Sequence, residues 1–118
     1  MSPEEVVRAE LSAWGRLNVD EIVSYFAVDA IRDNVPLGAV SGHDEIRKAI
    51  QGYVNRTTQG DIEILNLAVA GNVVLTERID HLVYDGTSIH ARVMGAFEVD
   101  GDKITAWRDY FDVPNTPA

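Results

Sequence analysis

Cysteine is missing from all 118 residues, so disulfides, thiolate metal ligands and a catalytic thiol are excluded. Histidine is sparse: His43, His81 and His90 are scattered and lack zinc-ligand spacing. Basic residues are few, ten Lys and Arg against nineteen Asp and Glu, for a formal net charge of −9. That balance argues against a nucleic-acid partner, whose phosphates require a basic face, and against an anionic membrane surface. No apolar run approaches about 18 residues, the length of a membrane span, and the start Met1-Ser2-Pro3-Glu4-Glu5 is acidic where a signal peptide would be basic and then apolar. Repeats, linkers and low-complexity segments are also missing. The expectation is a soluble, cytoplasmic protein.

What is present is ordinary globular composition, 46% hydrophobic and 25% charged, in a chain long enough for one core and too short for two. One domain is expected over residues 1–113, followed by a frayed tail, 114–118. Ser2 before Pro3-Glu4-Glu5 marks a helix start, with Val6, Val7, Glu10, Leu11, Trp14 and Leu17 near helical spacing and Gly15 weakening the end. Asn18 with Glu21 three residues on reads as the capping box of a second short helix carrying Ile22, Val23, Tyr25 and Phe26.

Val28 to Val35 reads as extended, with Arg32 and Asn34 on one face, and Pro36-Leu37-Gly38 breaks it. Ser41 to Glu45 opens a third helix to about Val54, and Arg56 to Gly60 reads as a loop. From Asp61 the period changes to two, and strands end at Gly71-Asn72, Asp85-Gly86 and Asp100-Gly101-Asp102. Long strands joined by such short turns form an antiparallel meander, the last running from Lys103 to Val113. The pattern is α+β, with helices on one face of a curved sheet whose concave side is the natural place for a small-molecule pocket.

Within the meander, Arg78-Ile79-Asp80 places opposite charges two apart, on one strand face and roughly 6.6 Å from each other along the strand. Alone, Arg-x-Asp is a solvated pair of little worth. A second stretch changes its weight: Asp109 alternates with Trp107 and Phe111, and a carboxylate on an aromatic face needs a partner. If both faces turn into the concave side, one guanidinium can bond a carboxylate on each flank, and one of the two acids tends to keep its proton. Such a cluster is either an acid–base device or an architectural ion network, and the residues alone leave both readings open. Glu77 and Arg108 fall on the opposite faces, as a solvated or interface pair. His81 and His90 read as surface or interface residues, and Trp14, Tyr53 and Trp107 as core or pocket wall.

Leu75-Thr76-Glu77-Arg78-Ile79-Asp80 together with Ile104-Thr105-Ala106-Trp107-Arg108-Asp109-Tyr110-Phe111-Asp112 resembles the limonene-1,2-epoxide hydrolase family. That family is a branch of the nuclear-transport-factor-2-like (NTF2-like, SnoaL-like) cone folds, and the resemblance runs from the first helix to Val113. It implies a strongly curved, mostly antiparallel mixed sheet with three to four helices from the N-terminal half. It further implies one-step opening of an epoxide by water to a vicinal diol, with no covalent intermediate, metal or cofactor. By position the acid falls on Asp80, the bridging arginine on Arg78 and the base on Asp109. Asn34 matches the family's water-positioning asparagine, whereas Arg32 stands where the family has tyrosine. A guanidinium accepts no hydrogen bond; it pairs with Asp109 or swings to solvent. Leu11, Trp14, Tyr53, Leu82, Ala91, Val93, Trp107 and Phe111 are the expected lining, the substrate a compact hydrophobic epoxide, cyclic or terpene-like, and the assembly a homodimer through the outer sheet face. An isomerase or cyclase with one Asp base, and a non-catalytic binding module, are the alternatives; Arg78 between two acids counts against the isomerase.

Overall fold

In the computed structural model, which describes residues 1–113, three helices and six strands follow in the order α1 (Pro3–Arg16), α2 (Val19–Ser24), β1 (Phe26–Asn34), β2 (Gly38–Ser41), α3 (His43–Arg56), β3 (Thr57–Ala70), β4 (Val73–Tyr84), β5 (Thr87–Asp100) and β6 (Lys103–Tyr110). The expected tail lies outside the described residues. The α1 cap is reciprocal: Ser2 Oγ accepts from the Glu5 amide at 3.1 Å, and Glu5 Oε1 accepts from the Ser2 amide at 2.8 Å. Such caps contribute about 1 kcal/mol. The α2 box forms only in half, because the Glu21 carboxylate turns to Arg16.

All six strands form one sheet in the order β2-β1-β6-β5-β4-β3. Its pairings are antiparallel except β1 with β6, which run parallel. The mixed, unclosed sheet with helices is the α+β cone that the sequence pattern predicts. Val6, Val7 and Leu11 of α1, Ile22 of α2 and Ile46 and Ile50 of α3 pack with Val74, Phe97, Ile104 and Trp107 of the sheet. Near its end α1 passes close over β3, where a Cβ on Gly15 would meet the Gly60 carbonyl at 3.4 Å. That approach explains a glycine inside the helix, which continues through it to Arg16.

Four local expectations are corrected. Pro36-Leu37-Gly38 does more than break β1: Leu37 N bonds Asn34 O at 2.7 Å, and the chain returns as β2, with Asn34 opposite Gly38. The loop expected at Arg56 to Gly60 does not exist, because α3 extends to Arg56 and β3 begins at Thr57, opposite Tyr84. Pairing the far end of β4 overrides the local turn signal there. The last strand ends at Tyr110, three residues early, and the first begins at Phe26, two residues early. Among the described residues no helix is long and apolar enough to cross a membrane.

Candidate active site

Register determines which side chains meet. In β4, Thr76, Arg78 and Asp80 share the concave face by period two, and Gly95 of β5 lies between Thr76 and Asp109 of β6 as the Cα partner of both. Across the parallel pair, Arg32 stands opposite Trp107 and Asn34 opposite Asp109.

Arg78, 1% exposed, is the centre of this arrangement. Its Nε and Nη2 donate to the two oxygens of Asp80 at 3.1 and 3.0 Å, while Nη1 and Nη2 donate to those of Asp109 at 3.0 Å each. Nη1 also donates to Thr76 Oγ1 at 3.2 Å. One guanidinium therefore holds both carboxylates in the fork geometry that Lys cannot supply. Burial opposes the Arg78 charge, but attraction and hydrogen bonds from Asp109 and Asp80 outweigh it and raise its pKa above the ordinary guanidinium value.

Asp109 has further partners. Trp107 Nε1 donates to Oδ1 at 2.7 Å, and Arg32 Nη2 donates to Oδ2 at 3.2 Å. The Arg32 guanidinium lies over the Trp107 ring, its Cζ 3.8 Å from the centroid, and donates to the Asp33 carbonyl at 3.3 Å. Of the two positions the sequence left open for Arg32, the structure has the one paired with Asp109. Burial pushes its pKa below the usual guanidinium value, and Asp109 and Glu10 offset this only in part.

Asp80, Asp109 and Arg32 border a cavity of about 510 Å³ between the sheet, the end of α1 and α3, with Arg78 buried behind the two carboxylates. Trp14, Asn34, Tyr53, Leu82, Ala91, Val93, Trp107 and Phe111 line it with Arg32, Asp80 and Asp109. Leu11 does not. It lies almost a turn before Trp14 on α1 and packs in the core, 2% exposed, while Trp14 carries the wall. Trp14 meets Tyr53 and Trp107 edge to face, at 5.0 and 5.8 Å between centroids. Ile50 and Ala49 of α3 and Ile62 of β3 also line the cavity; sequence reasoning gave them no such place.

Three further residues carried signals that were not used. Gly95 interrupts an otherwise ordinary strand, and a Cβ there would collide with Arg78 Nη1 and come 2.8 Å from both Asp109 Oδ1 and Thr76 Oγ1. A mid-strand glycine is the usual mark of such an approach. Thr76 shares the Arg78 face by parity. Glu10 falls at core spacing on α1 and is fully buried; its Oε1 accepts from Trp14 Nε1 at 2.5 Å and its Oε2 has no partner among the described residues. Burial pushes the Glu10 pKa up to about 8, against the Trp14 hydrogen bond and the pull of Arg32 and Arg78.

On the outer face, Arg108 and Glu77 do not pair with each other. Arg108 bonds Glu98 at 2.7 Å and Glu77 accepts from Asn66 at 2.8 Å, because cross-strand neighbours are nearer. His81 and His90 are register partners with Nδ1 atoms 2.7 Å apart, and Glu63 lies 2.8 Å from His81 Nε2. Among the described residues no group of three His, Asp or Glu side chains is placed to hold a metal ion.

Comparison with known proteins shows the family and the fold. The family model described as the limonene-1,2-epoxide hydrolase catalytic domain matches residues 1–116. Epoxide hydrolase EphG of Mycobacterium tuberculosis is 33% identical over 110 residues, which cover 91% of this chain and 71% of that protein. A solved M. tuberculosis LEH-like epoxide hydrolase is 30% identical with a TM-score of 0.82, over 92% of this chain and 80% of that one. A Catenulispora acidiphila protein with a ketosteroid isomerase-like fold shares the architecture, with a TM-score of 0.85 and 22% identity over 96% of this chain and 88% of its own. With a family model spanning nearly its whole length and a relative of this identity, the chain belongs to the limonene-1,2-epoxide hydrolase family.

Proposed function

We propose that this protein hydrolyses a small hydrophobic epoxide to a vicinal diol in one step, by paired acid and base, without a cofactor. The observation that carries this reading is Arg78 forked onto both Asp80 and Asp109, whose carboxyl groups line a largely apolar cavity. Asp109, ionised, takes a proton from a water held also by Asn34 as the water oxygen bonds to a ring carbon. Asp80, protonated, gives its proton to the ring oxygen as the carbon–oxygen bond breaks. Arg78 holds both carboxyl groups in place, and ring strain contributes to the driving force. Turnover leaves the proton on Asp109 and the charge on Asp80, and exchange with solvent resets them. Compact cyclic or terpene-like epoxides suit the cavity volume.

Incubation with a panel of epoxides in oxygen-18 water tests the assignment. A diol carrying the label supports it; isomerisation of a ketone, or binding of epoxides without turnover, would contradict it.

The assembly we propose is a homodimer through the outer sheet face. Leu65, Leu75, Met94 and Tyr110 stand there 44 to 51% exposed, on β3 to β6. Exposed apolar side chains on one sheet face favour burial against a partner.

A further inference from the structure

Asp109 has no open acceptor position. Its Oδ1 accepts from Arg78 Nη1 and Trp107 Nε1, and its Oδ2 from Arg78 Nη2 and Arg32 Nη2. A carboxylate offers about four lone-pair sites, so a water has nowhere to donate until one donor leaves. Arg78 is fixed from its other side by Asp80 and Thr76, and the buried Trp107 indole packs against Phe26 and Phe97. The bond from Arg32 is the longest of the four, 3.2 Å, and the Arg32 side chain borders the cavity with 11% of its surface accessible. Arg32 is also held by the Trp107 ring and the Asp33 carbonyl, but it is the donor with the longest bond and the one that borders the cavity.

Charge points to what moves it. With the proton on Asp80 that hydrolysis requires, two guanidiniums face one carboxylate, Asp109. Glu10, the remaining acid near them, is buried and neutral below a pKa of about 8. The other titratable groups lining the cavity are Asp61 of β3, His81 and Tyr84 of β4 and Tyr53 of α3, and among the described residues none of them hydrogen-bonds Arg32. One positive charge is left over among apolar walls, where an unpaired charge is costly. A substrate with one anionic group neutralises it.

Resting on the hydrolase reading, we propose that the substrate is an apolar epoxide bearing a carboxylate, which pairs with Arg32 and draws it off Asp109 Oδ2. The freed oxygen then takes the proton of the water whose oxygen bonds to the ring carbon. The proton of Asp80 passes to the ring oxygen as its bond to carbon breaks, and the product is a dihydroxy carboxylate. A neutral epoxide leaves Arg32 on the base and reacts slowly.

The test compares para-oxiranylbenzoate with its methyl ester, in the wild type and in Arg32→Gln, alongside calorimetric titration of both proteins with unreactive para-ethylbenzoate and para-ethylbenzamide. In the wild type the acid is hydrolysed with a kcat/KM about tenfold or more above the ester, and the benzoate binds about tenfold tighter than the amide, a difference of about 1.4 kcal/mol. In Arg32→Gln both preferences vanish and kcat for the ester rises, because Asp109 Oδ2 is open. Equal rates for acid and ester in the wild type with equal binding of benzoate and amide overturn the inference and leave the hydrolase reading standing. Tighter benzoate binding that depends on Arg32, with neither epoxide opened, supports the anion site and overturns the hydrolase reading. The wild-type ratios decide the matter even if the variant fails to fold.

Discussion

Gly95 and Asp109 are Cα partners across β5 and β6, and a Cβ on Gly95 would come 2.8 Å from Asp109 Oδ1. The space above the glycine is filled by the Arg78 guanidinium, whose Nη1 the same Cβ would strike. Neither atom is the end of a loose side chain, since both are bonded on several sides. Gly95→Ala is therefore expected to destabilise the fold by about 1–3 kcal/mol through overpacking and to depress kcat more than KM. Denaturant unfolding with steady-state kinetics checks both; wild-type kcat in this variant contradicts the packing argument.

Asp80 and Asp109 differ in what their loss costs. Asp80→Asn removes a proton donor whose side chain is 22% exposed, and kcat is expected to fall by about 10²–10⁴-fold with little change in unfolding midpoint. Asp109→Asn leaves the nearly buried Arg78 and Arg32 facing each other without their shared anion. It is expected to abolish turnover and also to destabilise by about 3–5 kcal/mol. Thermal unfolding of the two variants side by side tests the contrast, and full activity in Asp80→Asn removes it from the mechanism.

Glu10 makes stability depend on pH. Its pKa is raised by burial from 4.5 to about 8, so between those values the folded state holds a proton that the unfolded state has released. Stability then falls as pH rises from about 4.5 to 8, by an amount on the order of a few kcal/mol. Glu10→Gln keeps an acceptor for Trp14 Nε1 and removes the titration. The difference in unfolding free energy, variant minus wild type, is expected to grow between pH 5 and pH 8. A difference independent of pH contradicts a proton held on Glu10.

The outer face carries its own prediction. Leu75 and Met94, 44% and 51% exposed, are diagonal neighbours on adjacent strands, Leu75 opposite Ala96 and Met94 opposite Glu77. Placing Glu at both is expected to turn a dimer into a monomer in light scattering, with the cavity on the opposite face unaltered. A wild-type protein that is monomeric at micromolar concentration contradicts the proposed assembly.

Period two alone was enough to put Arg78 and Asp80 on one face, and the alternation of Asp109 with Trp107 and Phe111 was enough to turn it toward aromatic side chains. Both signals are local, and both are visible in a few residues. The rest of the site depends on which strands become neighbours. Arg32 reaches Asp109, 77 residues on, because β1 runs parallel to β6, a pairing that no local periodicity encodes. Gly95 is explained only once Thr76 and Asp109 are known to flank it, and Leu11 was misplaced because helical spacing selects a face without saying how far along that face the cavity extends. The β2 hairpin return and the early start of β3 escaped for the same reason: cross-strand pairing overrode turn chemistry.

In the proposed mechanism water, and not an aspartate, attacks the epoxide while Asp109 takes its proton. Single turnover in oxygen-18 water, with enzyme in excess over an epoxide that it opens, tests this most directly. Direct attack predicts one labelled hydroxyl oxygen in essentially all diol formed in the first turnover. Unlabelled diol in that turnover, with an oxygen lost from Asp80 or Asp109, would mean an ester intermediate and contradict the account.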